Sequence, residues 1–222
     1  MLIAGIVTPD CKMQTEGLIN SILTSTGRKV SMIDAASLSG FDVSRIRMYL
    51  RELDMSGVDI LILRMCLPNV RREITDLFNF DIILYTGKMD DSTPMPDDSS
   101  SGILCGLCTR LDEKGIVIVN VDDAELIRFL NGLRCYLVTY GFNSKASITT
   151  SSVGDTVNEN GFMCCLQRAV HAKNGILVEP QEYRLNMELK GQNIYSILAA
   201  VTFAIVNGVD PNSLSLSYAG MK

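Results

Sequence analysis

The chain begins with the segment LIAGIVTPDCK (residues 2–12), an apolar run that ends in a turn and a lysine. The run over 2–7 predicts a short buried β-strand, and the Thr-Pro-Asp sequence predicts the turn that ends it. Apolar residues then follow at helical spacing from 13 to 25, and Gly27 predicts the stop. A strand that leads directly into a helix is the first unit of an α/β fold. The turn between them is where such folds bind anions.

The same alternation continues along the chain to residue 141. Strands alternating with helices predict a mostly parallel sheet that is flanked by helices, with right-handed crossovers. Residues 88–101 break the pattern with aspartates, serines and prolines, and we interpret them as a mobile loop. The predicted strands are 29–33, 58–63, 80–85, 115–120 and 135–140, and the predicted helices are 43–55, 68–77, 103–111 and 122–130.

The period of the pattern changes after Gly141. Three segments, 146–153, 161–169 and 176–189, alternate or stay apolar without intervening helices, which predicts a small antiparallel sheet in the C-terminal third. A long helix at 193–207 and a short one from Pro211 complete the pattern. We therefore predict one α/β domain, 1–222, with a parallel part (1–141), a small antiparallel sheet (142–190) and closing helices (191–222).

Composition and charge argue against several classes of protein. The net charge of −5 and the lack of a basic stripe argue against nucleic-acid binding. The longest apolar stretch, 194–206, is shorter than the roughly 20 residues of a membrane span, so it predicts a core helix. The first residues lack the basic region of a signal peptide. Together with scattered cysteines typical of buried thiols, this predicts a cytoplasmic protein without membrane contact.

The turn at 8–12 has only part of what a phosphate-binding loop requires. Such a loop needs glycines, whose backbone N–H groups converge on the anion, a lysine, and a Ser or Thr for Mg²⁺. Lys12 stands at the start of a helix, where the dipole is positive. However, Pro9 has no N–H, Asp10 repels phosphate and Cys11 stands where glycine is needed. Taken alone, the segment is a turn that contains a lysine.

Several separated segments together resemble a known family. They are GIVTPDCK (5–12), VDILILR (58–64), FDIILYT (80–86), VIVNVDD (117–123), TYG (139–141), LKGQNIYSILAA (189–200) and GVD (208–210). In this order and spacing they resemble the central, ATP-binding domain of the Mur ligase family. That family includes the amino-acid-adding enzymes of peptidoglycan synthesis and the folylpolyglutamate synthases. The resemblance implies a P-loop-like fold, ATP with Mg²⁺ as cofactors, and the absence of the family's amino-terminal and carboxy-terminal domains from this sequence.

The positions that carry the family's chemistry differ in this chain. Arg64 corresponds to the family glutamate that binds Mg²⁺, and a guanidinium would repel a divalent cation. The Asp-His pair expected after the fourth strand is missing from 86–91, and no lysine stands at 99–111 for carbamylation. Since phosphoryl transfer depends on charge neutralisation and positioning, the resemblance implies no catalytic residue and no metal ligand here.

The resemblance leaves a residual nucleotide site. In the family, residues near the N-x-D-D segment and before the Ala-Ala pair lie towards the nucleoside. The alternative is structural, since Asp122 can N-cap the following helix and Asn193 can N-cap the long one. The candidate nucleotide-binding residues are Thr8, Lys12, Asn120, Asp122, Asp123 and Asn193.

Three functions are compatible with these observations. The first is a catalytically degenerate Mur-ligase-like protein that binds, regulates or scaffolds near cell-wall (peptidoglycan) synthesis. Its ligand would be a nucleotide or a UDP-linked molecule, and its partner another protein or a second copy. The second is an ATP-dependent carboxylate–amine ligase that partner domains complete. The third is a thiol redox or metal protein built on Cys105 and Cys108, whose C-x-x-C spacing falls inside a predicted helix rather than at its start.

Overall fold

A computed structural model describes residues 1–9, 14–86, 106–124, 126–127, 135–151, 162–187 and 192–216. The chain divides into two compact units. The first comprises residues 1–12, 28–117 and 123–137, and the second comprises residues 13–27, 118–122 and 138–222.

Strands and helices alternate in the first half of the chain, and strands dominate most of the second half. The strands are β1 Leu2–Thr8, β2 Val30–Asp34, β3 Ile60–Cys66, β4 Phe80–Tyr85, β5 Leu111–Asn120, β6 Tyr136–Tyr140, β7 Ile148–Thr150, β8 Phe162–Leu166, β9 Val170–His171, β10 Leu177–Val178, β11 Gln181–Met187 and β12 Ser215–Leu216. The helices are α1 Gln14–Ser25, α2 Val43–Met55, α3 Arg72–Thr75 and α4 Ile194–Val206, with 3₁₀ turns at Ala35–Gly40, Leu67–Asn69 and Pro211–Ser213. Residues 106–109, 124 and 126–127 are also helical.

The first unit is built on parallel strands in the order β2-β3-β1-β4. The middle strand β1 pairs with β3 on one side, from Leu2 opposite Ile60, and with β4 on the other side, from Ala4 opposite Ile82. Most residues of β1, β3 and β4 are buried, as expected of parallel strands that are covered on both faces. The predicted fold class, α/β with a mostly parallel sheet, is confirmed.

The second unit contains the small antiparallel elements. Strand β8 runs antiparallel to both β7 and β11, and β9 and β10 form a separate two-stranded antiparallel sheet. Helix α4 packs against α1, and its residues 197–206 are all buried. A helix that is apolar on every side belongs in a core, so the sequence-based assignment of this segment is confirmed. Among the described residues, every helix falls short of the length and apolarity needed to span a membrane.

Two predicted elements are divided in the structure. The helix predicted at 68–77 is wrong, because the chain forms a 3₁₀ turn at Leu67–Asn69 and only one helical turn in α3. Val70 and Arg71 between them are extended, with ψ near 138° and 137°, and Val70 is buried there. The strand predicted at 176–189 is two strands, β10 and β11, because Pro180 between them has no N–H for a ladder. The loop predicted at 88–101 lies outside the described residues.

The cysteines differ in one respect from the sequence-based expectation of free thiols. Cys135, Cys164 and Cys165 carry free thiols, but Cys66 is disulfide-bonded. Cys66 ends β3 opposite Thr8, at the edge of the sheet where the parallel strands end. Its sulfur is therefore placed at the end of the strands, near the loops, rather than in the middle of the sheet.

Gly5 in the middle of β1 allows the sheet to pack closely. A Cβ at this position would lie 2.5 Å from Met65 Cε, 3.1 Å from Phe80 Cε1 and 3.2 Å from Phe80 Cδ1. Gly17, on the exposed side of α1, has open space around it. The two glycines therefore differ in what a side chain would meet.

We expect Gly5→Val to lower the free energy of unfolding by about 1–3 kcal/mol, because the added methyl groups must displace Met65 and the Phe80 ring. As the matched control, Gly17→Ala should raise it by about 0.5–1 kcal/mol, since alanine loses less backbone entropy in a helix. Urea unfolding measures both. Equal stability of Gly5→Val and the wild type would contradict the packing described for β1.

Candidate functional site

The carboxyl end of β5 carries a buried asparagine with an unsatisfied amide. Asn120 is fully buried, and its Oδ1 accepts a hydrogen bond from the backbone N–H of Asp122 at 3.0 Å. The N–H of Val121 donates to the carbonyl of Tyr140 at 2.8 Å, which ties the turn to the end of β6. Asn120 Nδ2 has no partner among the described residues. Buried amide donors are nearly always paired, so an unpaired one within the described residues is unusual.

Asp122 fixes the segment that follows β6. Its Oδ2 accepts from the backbone N–H of Phe142 at 2.7 Å and from the hydroxyl of Tyr195 at 3.1 Å. Its Oδ1 accepts from the backbone N–H of Asn143 at 2.9 Å. Three donors thus engage this carboxylate, which makes Asp122 a positioning residue.

The predicted N-cap role of Asp122 is wrong, because its neighbour takes that role. Asp123 is buried, and its Oδ1 accepts from the backbone N–H of Leu126 at 2.9 Å. Its carbonyl also accepts from the N–H of Ile127 at 3.1 Å, which starts the helix. Both aspartates suit an N-cap by residue type, and only the path of the chain decides which one caps.

Gly141 is required by the approach of Asp122. Its φ is +144°, and a Cβ on it would lie 2.6 Å from Asp122 Oδ2 and 3.0 Å from Asn120 Oδ1. Any side chain would therefore push the carboxylate away from the N–H groups of Phe142 and Asn143. Gly141 therefore contributes to the site by leaving space for the carboxylate of Asp122.

The first turn of α4 forms the other side of this cluster. Asn193 N-caps the helix, with its Oδ1 accepting from the N–H of Tyr195 at 2.8 Å, as predicted. The Tyr195 ring packs edge-on against Phe142, with 5.1 Å between ring centroids. Burial, followed by the charge of Asp122 and the hydrogen bond to it, raises the pKa of Tyr195 to about 12. Tyr195 therefore stays a neutral donor at physiological pH.

The first unit has a different arrangement at the ends of β2 and β3. Arg64 Nη2 lies 3.1 Å from Asp34 Oδ2, and Asp34 Oδ1 accepts from the N–H of Ala36 at 2.9 Å. Asp34 and Arg64 stand opposite each other in the β2–β3 register. Thr8 is buried at the end of β1. A guanidinium paired to a carboxylate thus stands where the resemblance places a metal-binding glutamate, and the residues here do not fit a divalent cation.

The remaining candidates give no further site in the described part of the chain. Lys12 and Cys105 lie outside the described residues. Cys164 is buried and Cys165 is partly exposed on the other face of β8, as the strand period requires. No cluster of three or more His, Cys, Asp or Glu side chains within the described residues could hold a metal ion.

Asp122 contacts Asn120 through its backbone N–H and Tyr195 through its carboxylate, and Tyr195 in turn is capped by Asn193. Asp123 is not part of this cluster, because its side chain caps the following helix. Sequence reasoning missed Tyr195, Phe142 and Asp34 as members of these arrangements. The signal for Asp34 was available, because it ends the strand that neighbours the strand of Arg64. No local pattern identified Tyr195, since its partner Asp122 is 73 positions away.

Comparison with known proteins gives a likeness of fold. No family model matches this sequence, and no curated protein matches it significantly in sequence. Among solved structures, a UDP-N-acetylmuramoyl-L-alanyl-D-glutamate–2,6-diaminopimelate ligase superposes on 96% of this chain with a TM-score of 0.67 and 14% identity. The chain has a Mur-ligase-like fold.

Two further structures support this fold. The MurF ligase from Thermotoga maritima in complex with ADP matches with a TM-score of 0.60 and 15% identity. A bifunctional folylpolyglutamate synthase/dihydrofolate synthase from Yersinia pestis, complexed with AMPPNP and Mn ion, matches with a TM-score of 0.60 and 12% identity. Each match covers 96% of this chain. The chain spans only 45%, 48% and 56% of the three matched proteins, in the order given.

The Mur-ligase-like fold holds Tyr195 and Asp122 in contact, and spectrophotometric titration tests this contact. We expect Asp122→Asn to lower the pKa of Tyr195 from about 12 towards the ordinary 10.0, and Tyr195→Phe to remove this ionisation step. Tyr49→Phe, which removes an exposed phenol from α2, is the control and should leave the step in place.

The same pKa shift predicts how stability depends on pH. The unfolded phenol loses its proton near pH 10, whereas the folded one keeps it to about 12. The contribution of Tyr195 to the free energy of unfolding is therefore fully present below pH 10 and is lost as the pH rises towards 12. If the wild type and Tyr195→Phe lose stability equally across this window, the contact is not present in solution.

Proposed function

We propose that this protein binds a nucleotide or a UDP-linked ligand without Mg²⁺-dependent ligase chemistry, as a binding or regulatory protein in peptidoglycan synthesis. The ion pair between Arg64 and Asp34 carries the proposal. The likeness to Mur ligases supports the ligand class and the process. Fold alone does not carry an activity, so the chemistry of the strand ends decides between binding and catalysis.

Arg64 supports binding without metal chemistry. Magnesium in nucleotide sites is held by carboxylates together with phosphate oxygens, and a fixed positive charge in that place opposes a second cation. A guanidinium can also contact phosphate oxygens directly, as a planar donor of several N–H groups. Because Asp34 engages only Nη2 of Arg64, the other N–H groups of the guanidinium can contact an anion. The site therefore favours an anionic ligand over a metal–nucleotide complex.

Asn120 supports recognition of a polar heterocycle or amide. Its buried Nδ2 donor has no partner among the described residues, and leaving such a group unpaired costs about 1–3 kcal/mol. A ligand that supplies an acceptor would recover part of this cost. Asp122, with its three donors already bound, holds the surrounding turn in one conformation. Preorganisation of this kind favours binding because less entropy is lost.

Calorimetry of the full chain with ATP, ADP and a UDP-linked muropeptide, with and without Mg²⁺, tests the proposal. We expect one of these ligands to bind with an affinity that Mg²⁺ does not improve, and no phosphate release when an amino acid is added. Arg64→Glu should weaken binding without Mg²⁺ by about tenfold or more, because a repulsive charge replaces an attractive one. Arg110→Glu is the matched control, since it makes the same charge change and breaks an ion pair of 3.1 Å with Asp76.

Four results would contradict the proposal. Binding that Mg²⁺ strengthens at least tenfold, or turnover of ATP with an amino acid, would support the alternative, an ATP-dependent carboxylate–amine ligase that partner domains complete. Absence of binding to all three ligands would remove the nucleotide part. Equal effects of Arg64→Glu and Arg110→Glu would show that Arg64 acts only through net charge.

A further inference from the structure

Helix α2 has an unusually exposed apolar face. Of its residues, only Ile46 is buried, while Leu50 and Leu53 are half-buried on the same side. Met48 and Met55 are 60% and 88% exposed, and Tyr49 is 42% exposed. Isolated exposed apolar side chains are common, but several on one helix face indicate an interaction surface.

These residues form one stripe with a regular spacing. Phe41, which precedes the helix, is 48% exposed, and Arg45 stacks on its ring with 5.5 Å to the centroid. The stripe consists of Phe41, Arg45, Met48, Glu52 and Met55, at intervals of four, three, four and three residues. Within the helix, Arg45, Met48, Glu52 and Met55 have the spacing of residues that face a partner helix in a coiled coil, and Phe41 lies just before them in extended backbone. We call these five residues the α2 stripe.

A groove lies beside the α2 stripe. It has a volume of about 360 Å³ and is lined by apolar side chains of the 3₁₀ turn and of α2, among them Leu38, Ile46 and Tyr49. Arg45, Met48 and Glu52 border the same groove. An apolar side chain from a partner, such as an exposed methionine, has the size and chemistry to enter it.

The charges of the α2 stripe are self-complementary. From residue 41 to residue 55 the α2 stripe is apolar, positive, apolar, negative and apolar. In the opposite direction the negative residue comes before the positive one. Arg45 and Glu52 lie seven residues apart, about 10 Å along the helix, with Met48 and Tyr49 midway between them. A two-fold axis at this midpoint places Arg45 of one copy opposite Glu52 of the other, twice. Neither Arg45 nor Glu52 has an ion-pair partner among the described residues.

We propose that two copies of this chain associate through antiparallel α2 helices. The exposed methionines of each copy fill the groove of the other, and two ion pairs between Arg45 and Glu52 flank the centre. The contact is isologous, because the same surface serves both copies. In this arrangement Arg45 and Glu52 of one copy pair with Glu52 and Arg45 of the other, so charge complementarity supports a second copy as the occupant.

The size of this surface predicts a reversible dimer. One helix of 13 residues with its flanking turn offers less than the roughly 800 Å² per partner that is usual for a stable specific interface. We therefore expect a monomer–dimer equilibrium with a dissociation constant of about micromolar order. Sedimentation velocity over a range of protein concentrations around that value measures it.

Charge exchange gives the decisive experiment. Arg45→Glu and Glu52→Arg should each raise the dissociation constant by about tenfold or more, because each replaces two attractive pairs with two repulsive ones. An equimolar mixture of these two variants should dimerise again, since one chain then carries two acidic positions and the other two basic ones. The double variant Arg45→Glu/Glu52→Arg should recover the wild-type constant.

Two controls separate this effect from loss of folding. Arg47→Glu makes the same charge change on the same helix but away from the α2 stripe, and it should leave the dimer unchanged. Thermal unfolding of each variant reports whether the chain is still folded. A monomeric wild type across the concentration range would overturn the proposal. So would a dimer that Arg45→Glu leaves intact, or a mixture of the two single variants that stays monomeric.

Discussion

The parallel register of β1 with its two neighbours is the constraint on which the first unit depends. Because β1 pairs along its length with β3 and through its second half with β4, the ends of these strands meet at one edge of the sheet. The edge therefore collects Thr8, Cys66 and, through the neighbouring β2, the pair formed by Arg64 and Asp34. Gly5 permits this pairing to pack, since a side chain there would meet Met65 and Phe80.

In the second unit, one carboxylate has the comparable role. Asp122 joins the end of β5 to the turn after β6 and to the first turn of α4, through hydrogen bonds to two backbone N–H groups and one phenol. Gly141 leaves the space for it, and burial together with its negative charge raises the pKa of Tyr195. The consequence is a rigid frame around the buried amide of Asn120. Such a frame suits selective binding, because the donor is already oriented before a ligand arrives.

Local sequence patterns predicted most elements, and they were wrong where local and tertiary preferences compete. The helices α1, α2 and α4 follow from apolar spacing with Gly27, Gly57 and an Asn193 cap as end signals. The segment 68–77 has helical spacing as well, but Val70 is buried in an extended conformation that interrupts it. Asp122 and Asp123 are equivalent as capping residues by type, and the fold assigns the cap to Asp123.

The sequence by itself determined the α/β order of elements, the buried strands and helix α4. These features depend on the periodicity of apolar residues and on the identity of single residues, both of which are local. Only the tertiary structure decided that Arg64 pairs with Asp34, that Asp122 accepts a hydrogen bond from Tyr195, and that Asn120 Nδ2 has no partner within the described residues. Hydrogen bonds and ion pairs require atoms within about 3 Å of each other. Residues separated by 30 or 73 positions reach that distance only through the packing of the whole unit.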